Sequence, residues 1–221
     1  MAGREATPNR VASAFLGQYF LVTNIYIDGF NLYYGVVRDA PKLKWLNIDK
    51  FCRNLRPNDD IQLIRFFSAM VGGPTRPNQE VYFRALETLG SVKVILGRFK
   101  NKQVKCGVTA CAHSAQKWFS IPEEKRTDVN IAVSMVDDAY QDRCDHLILI
   151  SGDSDLVPAV AVVRERFPKK KITVYVPTRN PPGRSSRTSW SSHEAQRFAI
   201  TFIGTMPVRR LNPGRSRRHS Y

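Results

Sequence analysis

The run His146-Leu147-Ile148-Leu149-Ile150 constrains the fold more than any other feature of the chain. Nearly continuous apolar residues that stop at Ser151-Gly152 mark a short strand buried on both faces. Such a strand needs helices above and below it, which points to a parallel sheet. The rest of the chain alternates to match. Asn24–Ile27, Ile61–Phe67, Ser91–Phe99, Lys171–Val176 and Phe198–Ile203 have strand composition. Between them, 32–37, 48–55, 78–89, 127–140 and 155–167 have helical spacing, with Val129, Ala132, Val133, Val136 and Ala139 on one side of the fourth. Thr127 or Asp128 is the expected N-cap of that helix. Right-handed crossovers then predict an α/β fold: a doubly wound, mostly parallel sheet of five or six strands, helices on both faces, and order 3-2-1-4-5.

Charge narrows the function. The 221 residues hold 34 Lys and Arg against 19 Asp and Glu, a net +15. That balance favours a polyanionic partner, with nucleic acid ahead of a membrane surface. The excess is uneven, because residues 178–221 carry nine basic residues and one acidic. The expected organisation is an N-terminal extension 1–23, one domain 24–177 with an insert at 100–121, a linker and final strand 178–203, and a basic tail 204–221. Four scattered cysteines do not make a disulfide scaffold, so reduced thiols and a cytoplasmic setting are expected. No apolar run approaches the roughly 20 residues of a bilayer span, and no signal peptide is expected at 11–22.

In an open α/β sheet, ligands bind at the carboxyl ends of the strands near the switch point. The first strand ends in Asp28-Gly29-Phe30-Asn31 and the fourth in Ser151-Gly152-Asp153-Ser154-Asp155. In the predicted order these strands are neighbours, about 4.8 Å apart. Asp28 and Asp153 then face one crevice, with Asp155 and Asp128 in reach of it. Converging carboxylates repel one another unless a cation or protons offset them. Oxygen-only ligands suit Mg²⁺ or Mn²⁺, and such an ion supports attack on a phosphodiester. Each motif has a plainer reading. Asp-Gly is a common turn, Asp153 or Asp155 can cap the next helix, and Asn31 can cap as readily as it can orient a water or phosphate.

Three pieces carry a family resemblance: Ile27-Asp28-Gly29-Phe30-Asn31, Glu124-Lys125-Arg126-Thr127-Asp128-Val129, and Ile150 through Pro158. Together they resemble the NYN domain family, a branch of the PIN-like ribonuclease superfamily that includes LabA-like proteins. The resemblance implies a PIN-like fold and a metal-dependent nuclease site. Carried over, Asp28, Asp128, Asp153 and Asp155 become metal-site carboxylates, and Asn31 and Ser151 supporting polar groups of the catalytic site. It also implies an acid in the helix after strand two or three, for which Glu80 and Glu87 are candidates.

The insert contains Cys106, Cys111 and His113, whose spacing can bind zinc if Cys144 or Cys52 supplies a fourth ligand; unligated thiols in a loop are the alternative. It also carries Lys100, Lys102, Lys105 and Lys117 near Phe99, Trp118 and Phe119, a mixture that suits a single strand of nucleic acid. A solvated loop whose aromatics pack on the sheet is the alternative there. Lys125 and Arg126 lie beside Asp128, and Arg209 and Arg210 open the tail. No nucleophile elbow, phosphate loop or dinucleotide fingerprint is present. Phe30 stands where a haloacid-dehalogenase-like phosphatase needs its second acid. The expectation is a metal-dependent endoribonuclease acting on single-stranded RNA. The alternatives are a nucleic-acid-binding or adaptor module with a weak or inactive site, and a regulated nuclease that works with a protein partner or as a homo-oligomer.

Overall fold

A computed structural model describes residues 20–108, 118–178 and 200–203. Six strands form one sheet: β1 (Leu21–Asp28), β2 (Asp59–Ser68), β3 (Val92–Leu96), β6 (His146–Ile150), β7 (Lys171–Pro177) and β8 (Ile200–Ile203). Their order is β3-β2-β1-β6-β7-β8, and every pair is parallel. This is the expected α/β architecture and strand order. The first strand begins at Leu21, three residues earlier than the sequence suggests.

Period-two alternation sends successive side chains to opposite faces. In β1, Ile25 and Ile27 join one core and Tyr26 the other; in β6, Ile148 and Ile150 join the first and Leu147 and Leu149 the second. α1 (Gly29–Leu32), α2 (Ile48–Leu55) and α3 (Arg76–Glu87) bury Leu32, Phe51 and Phe83 in the first core. α4 (Thr127–Tyr140) and α5 (Val157–Arg166) bury Ile131, Met135, Val160 and Val163 in the second. All five strands with described side chains are thus covered on both faces. Among the described residues no helix is long and apolar enough to cross a membrane.

The insert departs from the sequence expectation. Residues 98–125 open and close as an antiparallel hairpin of β4 (Arg98–Lys105) and β5 (Trp118–Lys125), separate from the main sheet. The third predicted strand breaks at Gly97 into β3 and β4. A Cβ on Gly97 would meet Glu124 Oε1 at 2.6 Å and the Lys125 carbonyl oxygen at 2.7 Å, so only glycine lets the chain cross here. Alternation was hidden because both hairpin strands are largely solvated and carry charged residues on both sides.

Deep in the second core lies a polar network that the apolar patterning conceals. Asp138 is fully buried and accepts hydrogen bonds from Asn24 Nδ2 (2.8 Å), Tyr26 Oη (2.5 Å) and Arg65 Nη2 (2.9 Å). Arg143 Nη1 adds a fourth at 2.9 Å, and the Arg65 guanidinium stands 5.5 Å over the Tyr26 ring. A buried charge is tolerable only with its partners in place. Asp138→Ala strands Arg65, Tyr26 and Asn24 together, and a loss of about 3–5 kcal/mol in urea-unfolding stability is expected.

Candidate metal and nuclease site

Asp28 is the last residue of β1 and the N-cap of α1, in extended backbone at φ −74° and ψ 105°. Its carboxylate accepts from the Asn31 backbone N–H at 3.0 Å, from Asn31 Nδ2 at 2.6 Å and from Ser151 Oγ at 3.0 Å. Asn31 in turn accepts from the Gly152 N–H at 3.0 Å through its Oδ1. Ser151 Oγ also accepts from the Asp153 N–H at 3.1 Å. One hydroxyl and one amide therefore clasp the ends of β1 and β6, across 123 residues of chain. Gly29 is required beside them, since a Cβ there would lie 2.7 Å from the Phe67 carbonyl oxygen.

The remaining acids enter from the helix starts. Asp153 caps the turn Ser154–Leu156 by accepting from the Asp155 N–H at 3.0 Å. Asp128 lies in the first turn of α4. The N-cap of α4 is Arg126, which provides no side-chain cap, rather than Thr127 or Asp128. Glu124 does the capping from β5, accepting from the Thr127 N–H at 3.1 Å and from its hydroxyl. Arg126 sits in the left-handed region at φ 85°, a strained conformation for a residue with a side chain. That twist turns β5 into α4 and delivers Asp128 to the crevice.

The electrostatics show that the acids share one field. Burial, followed by the charges of Asp153, Asp28, Glu124 and Asp155, pushes the Asp128 carboxyl up to about 6. Burial also raises Asp28, which is only 2% exposed, against the pull of its hydrogen bonds from Asn31 and Ser151. Asp153 is half-buried and Asp155 exposed. Among the described residues, no three acidic, His or Cys side chains are grouped tightly enough to enclose an ion by themselves. The donor set nonetheless fits Mg²⁺ or Mn²⁺. These ions prefer oxygen, keep several waters, and need only one or two carboxylates plus substrate phosphate.

Sequence reasoning missed Glu124 as a site acid. Its signal was its place inside the second motif, three residues before Thr127. Glu80 is held instead by Arg76 at 2.8 Å on the surface of α3, and Glu87 is exposed. The hairpin sorts the basic residues by face, because cross-strand partners point the same way. Lys100 pairs with Glu123 and Lys102 with Ile121 on one face, whereas Lys105 pairs with Trp118 on the face that carries Phe99 and Glu124. Lys125 and Lys102 reach Glu123 at 3.1 and 3.7 Å. Arg126 is exposed. Phe99 packs edge-on against Phe30, ring centres 5.8 Å apart. Cys106 is half-buried, and Cys52 and Cys144 are fully buried in opposite cores, where burial raises both thiols. Cys111, His113, Lys117, Arg209, Arg210, most of the linker and the basic tail lie outside the described residues.

A parallel α/β sheet with acids converging at the ends of its two central strands has the architecture of a nuclease-like domain. The model of the NYN domain family matches residues 22–198, and the chain belongs to that family. One relative is the 6-hydroxy-3-succinoylpyridine 3-monooxygenase HspA of Pseudomonas putida, 28% identical over 191 residues. The match covers 72% of this chain and 60% of that protein, so the chain spans less than two thirds of its relative's length. A solved structure, a protein of unknown function from Vibrio parahaemolyticus, shares the fold with a TM-score of 0.52 and 20% identity. That likeness covers 84% of this chain and 93% of the other.

The raised Asp128 carboxyl makes a signed prediction. The fold favours its protonated form, so this stabilisation is complete below pH 4 and is lost as pH rises through about 6. Asp128→Asn should therefore be more stable than wild type at pH 7.5 in EDTA, by about 1 kcal/mol after allowance for solvent screening. Chemical denaturation across pH should show that gain vanish at pH 4.

Proposed function

We propose that this chain is a metal-dependent ribonuclease that hydrolyses phosphodiester bonds of single-stranded RNA. The observation that carries this reading is the junction of the two central strands, where Ser151 Oγ donates to Asp28 and accepts from the Asp153 N–H, with Asp128 close enough that burial first, and then the charges of Asp153, Asp28, Glu124 and Asp155, raise its carboxyl. A crevice so rich in negative charge is costly when empty and is relieved by a divalent cation. Membership of the NYN family and the net +15 charge support the same reading.

In this reading Asp28, Asp128, Asp153 and Asp155 hold Mg²⁺ or Mn²⁺. Such an ion, when bound, supplies a nucleophile at neutral pH and offsets charge on the phosphate. Asn31 and Ser151 act as positioning residues, because their bonds fix the rotamer of the Asp28 carboxylate. Glu124 holds the first turn of α4 through Thr127 and so sets where Asp128 stands. Lys105 and Trp118, on the hairpin face that ends in Glu124, offer phosphate contact and base stacking to a strand leading away from the acids. The relative's name describes a different reaction class, and its activity stays with that longer protein.

A second reading has one observation in its favour. Asp28 is nearly inaccessible and both its oxygens already accept hydrogen bonds. A carboxylate so engaged also serves as a plain cap, which fits an RNA-binding or adaptor module with a weak site. Cleavage of end-labelled single-stranded RNA separates the two. The nuclease reading predicts cleavage with Mn²⁺, none with EDTA, none with Asp153→Asn, and a loss of about 10–100-fold with Asn31→Ala. Cleavage that survives both EDTA and Asp153→Asn contradicts it. Salt-sensitive binding without cleavage supports the adaptor.

A further inference from the structure

The fold holds a cavity of about 490 Å³ that neither the acids nor the hairpin explains. It begins at Gly29 and Phe30, immediately after Asp28, and runs over the carboxyl end of β2 to α3. Its volume falls within the range of small-molecule sites, roughly 300–1,000 Å³. Its walls are aromatic, with Phe30, Tyr33, Tyr34, Trp45, Phe66 and Tyr82 all contributing.

Three features tell a ligand site from a packing gap. The first is exposure: Tyr33 and Tyr34 remain 40% and 57% exposed at the cavity, with the Arg38 guanidinium 5.7 Å over the Tyr34 ring. The second is ring geometry. Tyr34 lies nearly parallel to Phe30, 20° between planes at 6.4 Å, whereas Trp45 meets Tyr82 edge-on at 6.0 Å. Both pairs line the same cavity, so its wall is built of aromatic rings of the kind that a planar ring packs against. The third is polarity. Tyr82 spends its hydroxyl on the Leu46 carbonyl at 2.9 Å. The hydroxyls of Tyr33 and Tyr34 and the indole N–H of Trp45 have no hydrogen-bond partner among the described residues. Ser68, only 4% exposed, also lines the cavity at the end of β2, and Lys44 stands there as an exposed cation. Stacking faces with unspent donors and one positive charge match a nitrogen heterocycle bearing an anionic group, better than they match an aliphatic chain.

We infer that this cavity binds a planar nitrogen-heteroaromatic ring that carries an anionic substituent. A nucleotide of single-stranded RNA and a free heterocyclic acid present the same chemistry, and the test separates these two sources. Binding here does not depend on hydrolysis, so it is measured on full-length Asp153→Asn, where turnover cannot interfere. Calorimetric titrations with AMP, UMP, a five-nucleotide RNA and nicotinate form the arms. At least one probe should saturate with a dissociation constant below about 1 mM. Tyr34→Ala and Trp45→Ala should each weaken that probe about tenfold or more, as lost ring stacking does. Tyr34 is the decisive position, because it is more than half exposed and Tyr34→Ala is expected to fold, with only the contacts to Phe30, Tyr33 and Arg38 lost. Tighter binding of the nucleotides and RNA assigns the slot to a nucleobase; tighter binding of nicotinate assigns it to a free heterocycle. If no probe binds with a dissociation constant below about 1 mM, or if folded Tyr34→Ala binds as well as its parent, the inference is overturned. RNA cleavage by wild type is untouched by that outcome, so the two readings fail separately.

Discussion

Parallel pairing of β1 with β6 is the constraint from which the rest follows. These strands are far apart in sequence, yet Thr23 through Ile27 register against His146 through Ile150. Both are buried on both faces, so a slip of one residue would turn Ile25 and Tyr26 into the wrong cores. The register therefore fixes where each strand ends. Asp28 and Ser151 leave the sheet side by side, and the hydroxyl of one bonds the carboxylate of the other at 3.0 Å.

That placement has an electrostatic cost, and the chain assembles it from rigid parts. Two helix starts, one hairpin base and two strand ends contribute one acid each or a neighbouring pair. The left-handed Arg126 and the glycine at 97 permit the close crossing that brings Glu124 to Thr127. Backbone strain and carboxylate repulsion thus meet at one place. Strain held by its surroundings is characteristic of functional sites, and here it lies beside the residues whose charges act on Asp128.

The central sheet was legible because its strands are apolar runs bounded by Asp, Gly and Ser. The helices were legible because they bury one stripe each. That Asp28, Asn31, Ser151 and Asp153 come together was legible because strand order follows from handedness, and the ends of neighbouring strands must meet. The hairpin was not, since Lys100, Lys102 and Lys125 share one face with Val104, Phe119 and Ile121, and so break the alternation of apolar and polar residues. Glu124 was missed because its role depends on a contact with Thr127 that spacing alone does not announce. The aromatic cavity was missed because Tyr33, Trp45, Phe66 and Tyr82 come from four separate segments. His146 gave no sequence signal either. It is buried at the opposite end of β6, between Asp59 at 2.9 Å and Thr173 at 2.8 Å, and burial lowers it to about 4.

The claim that one divalent ion belongs among these acids is tested most directly by paramagnetic broadening. Mn²⁺ added below one equivalent to the isotope-labelled protein should broaden the backbone signals of residues 28–31, 127–129 and 151–155 before any others. EDTA should restore them. Broadening that begins at surface acids such as Glu123 or Asp142, or that spreads evenly over the chain, would contradict the account.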